Sequence, residues 1–226
     1  MVRGTRRPLA IAIGTLVVIG VLASATYPFR PPLHERFPEY PQVVAVHVAL
    51  GGLYLALAPL QLVGRIRSRW PTYHRWAGRL LVATGLVSGG AGLFIAWVIP
   101  FAGWPERIIL GFFGLLFALS LAMGFRRIRA AQVAPHREWM LRAFAIGLAI
   151  ATDRVIVIPA VLVMVMRDAA PTPTRDQLEL VAILAFTIAF TLHTVLAEVW
   201  IRATRRRVAR QARDLTPAPA PVGAAG

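Results

Sequence analysis

The chain has no cysteine, which excludes disulfides, thiolate metal sites and the thioether attachment of haem, and leaves the redox compartment unwritten in the sequence. It has no lysine either. All 25 of its basic residues are arginine, set against only 10 acidic ones. Charged residues make up 15% of 226 positions, where a soluble domain carries about 25%. Paired carboxylates, phosphate-binding loops, nucleophile elbows and metalloprotease helices are also missing, so hydrolytic chemistry has no visible machinery and enzyme activity stays an open question. What fills the chain instead is apolar: 57% of residues are hydrophobic and the mean hydropathy is +0.63. The solvent implied is a lipid bilayer.

A hydrocarbon core about 30 Å thick needs ~20 helical residues to cross it. Six stretches suffice, at residues 8–26, 42–63, 76–99, 107–125, 139–166 and 178–200, and predict an all-α, polytopic bundle. Eighteen arginines fall before the first stretch and in alternate gaps: Arg3, Arg6 and Arg7; Arg65, Arg67, Arg69, Arg75 and Arg79; Arg126, Arg127, Arg129 and Arg137; Arg202, Arg205, Arg206, Arg207, Arg210 and Arg213. Arginine-rich short loops stay on the cytoplasmic side during insertion, so both termini are expected inside. The first stretch also reads as a signal peptide ending at Ala23-Ser24-Ala25, but its length and the short loop after it favour a retained helix.

A net charge of +15 would point to nucleic acid in a soluble protein. Here the charge gathers at membrane edges without an aromatic-basic groove, so the expected partner is lipid, anionic headgroups included, and no nucleic acid. Arginine in place of lysine, with abundant Ala, Gly and Pro, is the mark of a GC-rich bacterial genome, which places the protein in a bacterial cytoplasmic membrane.

Residues 1–213 form one bundle domain and 214–226 a Pro- and Ala-rich tail expected to be disordered. The loop from Tyr27 to Pro41 holds five prolines and is expected to be stiff and extended, with His34 solvated in it. Pro159 should kink the fifth span or end its regular part. The basic stretch Arg202 to Arg213 is expected to lie on the inner surface as a helix. A repeat is also visible: Arg65-Ile66-Arg67 followed by His74-Arg75 recurs 62 residues later as Arg127-Ile128-Arg129 followed by His136-Arg137. Spans two and three would then correspond to spans four and five.

Ionisable groups inside a membrane cost roughly 2.5–3.5 kcal/mol, so those that persist need a partner or a task. They are His47, Asp153, Arg154 and His193, with His74 and His136 at the inner boundary. On the third span, Gly78, Gly85, Gly89 and Gly92 share the face of His74, making a groove suited to close helix packing or to a flat cofactor. On the second, His47, Gly51, Tyr54, Ala58 and Gln61 form a weakly polar stripe. Arg154 shares the face of His136 but stands ~27 Å further along, too far for a common ligand. As neighbours about 100° apart, Asp153 and Arg154 need not form a simple ion pair. His193 and Glu198 fall toward the inner end of the sixth span, which gathers three histidines in the cytoplasmic half. The Trp and Arg beside His74 and His136 also suit plain interface anchoring.

At these residues the chain resembles a bacterial family of predicted membrane proteins known as domain of unknown function 2306. The likeness rests on Pro59-Leu60-Gln61 after the His47 helix, on His74-Arg75-Trp76-Ala77-Gly78-Arg79, and on His136-Arg137-Glu138-Trp139-Met140 followed by Arg142. It covers residues 42–166 and extends toward the sixth span. The resemblance implies a helical membrane fold and no assigned activity. A looser likeness is to six-helix di-haem b-type cytochromes, from which the chain departs, because its fourth span has no histidine and its outer half only His47. One haem b, with axial ligands His74 and His136 or one of them with His193, and with His47 and Arg154 as further cofactor-binding residues, is the arrangement expected. Electron transfer or assembly of a respiratory component would follow, in a homodimer or with a respiratory-complex partner. The alternatives are a transporter, proton-coupled or lipid-handling, lined by Asp153, Arg154 and His47, and a scaffold whose polar groups only hold helices together.

Overall fold

A computed structural model describes residues 6–26, 39–167 and 173–215. Seven helices account for almost all of them: α1 (Arg6–Ala25), α2 (Pro41–Leu62), α3 (Gly64–Arg69), α4 (Pro71–Val98), α5 (Gly103–Arg129), α6 (Val133–Arg167) and α7 (Arg175–Asp214). All but the six-residue α3 are long and apolar enough to cross a bilayer. Helix is the form these runs must take, because hydrocarbon offers no partner to an unpaired backbone group. The first turns of α2 and α4 begin with Pro41 and Pro71, whose missing N–H would have had no helical acceptor anyway. Helix α7 opens on a capping box, Thr174 accepting from Gln177 N and the Gln177 side chain accepting from Thr174 N.

Successive long helices pack side by side from α2 through α4, α5, α6 and α7, while α1 lies against α2 and α6. The core runs through Tyr54, Leu81, Phe113, Phe117, Leu121, Phe144, Ile146 and Phe190. At most 33% of any spanning stretch is buried inside the protein. The remainder includes apolar stripes such as Ile108, Phe112, Leu115 and Leu119 on α5, each at least half exposed, as expected of helices that cross a bilayer.

The two faces singled out in the sequence meet each other. Glycine backbone on α4 admits the side chains of α2: a Cβ at Gly92 would stand 2.8 Å from the His47 ring, one at Gly85 3.2 Å from the Tyr54 ring, and one at Gly78 3.6 Å from Gln61. Ser88 fits over Gly51, whose added Cβ would lie 3.2 Å from its hydroxyl. From the other side Leu121 and Phe117 of α5 press on Gly85 and Gly89. The glycine face is therefore filled by side chains, and a macrocycle has no slot along it. Tyr54 also touches Gly147 of α6, 62 positions after Gly85, so the two glycines receive the same ring from opposite sides.

Several boundaries differ from those expected. Helices α4, α5 and α6 begin up to six residues before their apolar cores, because Pro71, Gly103 and Val133 start the helix in the interfacial loop. Pro159 does not end α6, which stays helical to Arg167, as bilayer helices tolerate proline where neighbours compensate the lost bond. The stretch Arg202 to Arg213 is helical but does not fold onto the membrane surface as a separate element; it prolongs α7 in one unbroken helix of 40 residues. No Gly or Pro interrupts that run. Of the loop expected to be stiff, residues 27–38 with His34, and of the tail, residues 216–226, lie outside the described residues.

Candidate functional site

Three polar clusters occupy three levels of the bundle. At the end away from the arginine-rich loops, His47 Nδ1 donates to the carbonyl of Ser88 while the Ser88 hydroxyl donates to the carbonyl of His47, both at 2.9 Å. A carbonyl only accepts, so Nδ1 carries the proton and Nε2 keeps its lone pair. Arg154 comes close enough to act on His47 electrostatically. Arg154 itself pairs through Nη1 with Asp153 Oδ2, an ion pair between sequence neighbours that the 100° separation did not lead us to expect; the long guanidinium arm bends back along the helix. Asp153 is wholly buried, and its other oxygen, Oδ1, has no hydrogen-bond partner.

Midway along the bundle, the imidazole Nε2 of His193 and the hydroxyl of Thr152 are hydrogen-bonded at 2.7 Å. Thr152 stands 16 residues beyond His136 on α6, about 24 Å of helix. His193 is thus not one of three histidines gathered at the arginine-rich end and shares no ligand with His74 or His136. The antiparallel register that pairs Glu138 with Arg205 and Arg142 with Glu198 carries His193 to Thr152, well above the level that counting from loop ends assigns. Glu198, one turn further, is held by Arg142 through two bonds, Nε to Oε1 at 2.5 Å and Nη2 to Oε2 at 3.2 Å. Arg142 also stacks over Trp139, 4.6 Å from its centroid. Further out, both oxygens of Glu138 accept from Arg205. These two clasps tie α7 to α6.

The third cluster lies at the arginine-rich end, where α2, α4, α5 and α6 terminate. His136 Nδ1 donates to the carbonyl of Gly124 at 2.9 Å, which leaves its Nε2 lone pair available. His74 on α4 is near enough for the two rings, and Arg67, to interact electrostatically. His74 Nδ1 is buried without a partner, and so are both amide atoms of Gln61 and Nε of Arg127. Arg127 spends Nη1 on Gln132 Oε1 at 2.7 Å. Of the expected cofactor residues, the fold brings together His74 and His136 and sets His47 with Arg154 in a separate place. Among the described residues no three His, Asp or Glu side chains converge to hold a bare metal ion.

Sequence reasoning missed Ser88, Thr152, Gly124 and Arg127. The first three act through hydroxyls or a backbone carbonyl and leave no charge signature. Arg127 was counted among topological arginines, and the signal that distinguishes it is its place one turn after Gly124, inside the bundle's rim.

The fold and these clusters define a helical membrane protein with six helices fit to span a bilayer and with polar clusters between them. The chain belongs to the family of predicted membrane proteins of unknown function DUF2306, whose model matches residues 44–201. No curated protein and no solved structure matches it.

Proposed function

We propose that the arginine-rich end binds a redox cofactor through His74 and His136, haem b being the group these residues suit, and that the protein serves electron transfer or the assembly of a respiratory component. The observation that carries this reading is the pinned ring of His136 beside a second imidazole from another helix. A backbone carbonyl holding Nδ1–H is the usual support behind a metal-binding histidine, because it fixes the tautomer and the ring plane. Two imidazoles suit haem, whose porphyrin supplies the other four nitrogens, better than they suit a bare ion. The filled glycine face confines such a group to the rim of the bundle, where His74 and His136 sit. When bound, haem would supply one-electron chemistry, and the chain's part is to hold and orient it.

The test is the optical spectrum of protein purified after expression with ample haem. A Soret band that disappears in His74→Ala and His136→Ala supports the reading. Protein with no Soret band, or a band that survives both replacements, overturns it.

A second reading, solute or proton transport through the bundle, is favoured by one observation: the wholly buried Asp153 with Oδ1 unpartnered beside Arg154 and His47. It predicts substrate or proton flux in vesicles, abolished by Arg154→Leu.

A further inference from the structure

Seven buried side-chain nitrogen or oxygen atoms among the described residues have no hydrogen-bond partner, and four of them belong to Gln61, His74 and Arg127. Each such atom costs about 1–3 kcal/mol where nothing satisfies it, so their gathering at one end of the bundle calls for a ligand. Packing register brings them to a common level. Gln61 Oε1 lies against Gly78 of α4, and His74 stands one turn away on the same helix face. Along α4 and α5, Gly85 meets Leu121 and Gly89 meets Phe117 in antiparallel order, which carries Gly78 to the height of Arg127 and Ile128. Along α5 and α6, Phe117 meets Gly147 and Met140 meets Gly124, which sets Arg127 beside Arg137 and one residue from His136.

The chemistry of this set is that of an anion receptor. Arg127 offers Nε–H, Gln61 an amide N–H, and His74 an Nδ1 that donates when protonated, with Arg67 adding positive charge nearby. The two glutamates at this end are already taken, Glu138 by Arg205 and Glu198 by Arg142, so neither is left to neutralise these donors. All three donors stand at the ends of the apolar stretches of α2, α4 and α5.

We propose that Gln61, His74 and Arg127 together bind a phosphate group, either the headgroup of an anionic phospholipid or free phosphate. The phosphate oxygens accept from Arg127 Nε, Gln61 Nε2 and His74 Nδ1. For His74 this supplies the acceptor that Gly124 provides for His136. The site needs no haem and stands or falls separately from the cofactor reading.

The experiment measures the unfolding temperature of the purified full chain in phosphatidylcholine bilayers, then with added phosphatidylglycerol, then in phosphatidylcholine with inorganic phosphate titrated in. Parent protein, Gln61→Leu, Arg127→Gln and, as a control, the exposed Arg129→Gln are compared. A saturable rise of several degrees with phosphatidylglycerol, kept in Arg129→Gln and lost in the other two, supports the proposal with lipid as ligand. The same pattern with inorganic phosphate supports it with free phosphate. Because Gln61→Leu removes unpartnered atoms, its unliganded unfolding temperature should equal or exceed that of the parent, which separates loss of ligand from loss of fold. An equal rise in all four proteins, or none in the parent, overturns it. The haem spectrum of the same samples reports independently on the cofactor.

Discussion

Ser88 and His47 grip each other twice, side chain to backbone in both directions, across the α2–α4 interface. This reciprocal pair locks the depth of one helix against the other. Sliding either by a turn breaks both bonds and drives the imidazole off Gly92, the glycine that accommodates it.

Gly92→Ala should therefore be the more damaging change at this contact. Its Cβ would fall 2.8 Å from His47 Cε1 and 2.9 Å from Nδ1, forcing a pinned ring to move at a cost of about 1–3 kcal/mol. Ser88→Ala loses one interhelical bond, worth about 0.6 kcal/mol in membranes. Denaturant midpoints in detergent measure both, and the reverse order would refute the proposed lock.

Tyr54 is the central wedge, bounded by Gly85, Gly147 and the edge of Phe117, whose ring centroid lies 5.4 Å away. Truncating it to alanine leaves a cavity that three helices cannot easily close. We expect Tyr54→Ala to cost about 3–5 kcal/mol, readable as a fall in thermal midpoint, with glycine at either position unable to compensate.

Arg154→Leu should destabilise more than Asp153→Asn and Arg154→Leu made together. Removing the guanidinium alone strands a buried carboxylate, at a cost of about 3 kcal/mol, whereas the double change removes the charge as well. A double-mutant cycle on unfolding free energy gives the coupling; additive losses would mean the pair is not coupled.

The chain's freedom from cysteine makes its register directly testable. Gln61→Cys combined with Gly78→Cys, and His47→Cys combined with Gly92→Cys, should cross-link under mild oxidation. Gln61→Cys with Gly92→Cys should not, since about 14 residues of helix, ~21 Å, separate the two levels. Mobility on reducing and non-reducing gels decides.

The glycine face and the polar stripe were each legible in the sequence, because helical periodicity alone puts Gly78, Gly85 and Gly92 on one line and His47, Tyr54 and Gln61 on another. That the second fills the first was not, since a groove looks alike whether a side chain or a ligand occupies it. The six spans followed from hydropathy and length. Depth was harder: His193, counted from the loop, falls one or two turns from the level of His136, yet the register of α7 on α6 sets it beside Thr152. The Asp153–Arg154 pair escaped for a different reason, as side-chain reach outweighs the angular separation of adjacent positions.

Helix α7 has one further consequence. At 1.5 Å per residue its 40 residues measure about 60 Å, twice the hydrocarbon thickness, so it is a lever longer than the bilayer core needs. Below the Glu138–Arg205 clasp its arm carries Arg210 and Arg213 to the tip. A whole protein that changes shape within the bilayer would thus announce it, as a sweep of positive charge, to whatever lies beneath.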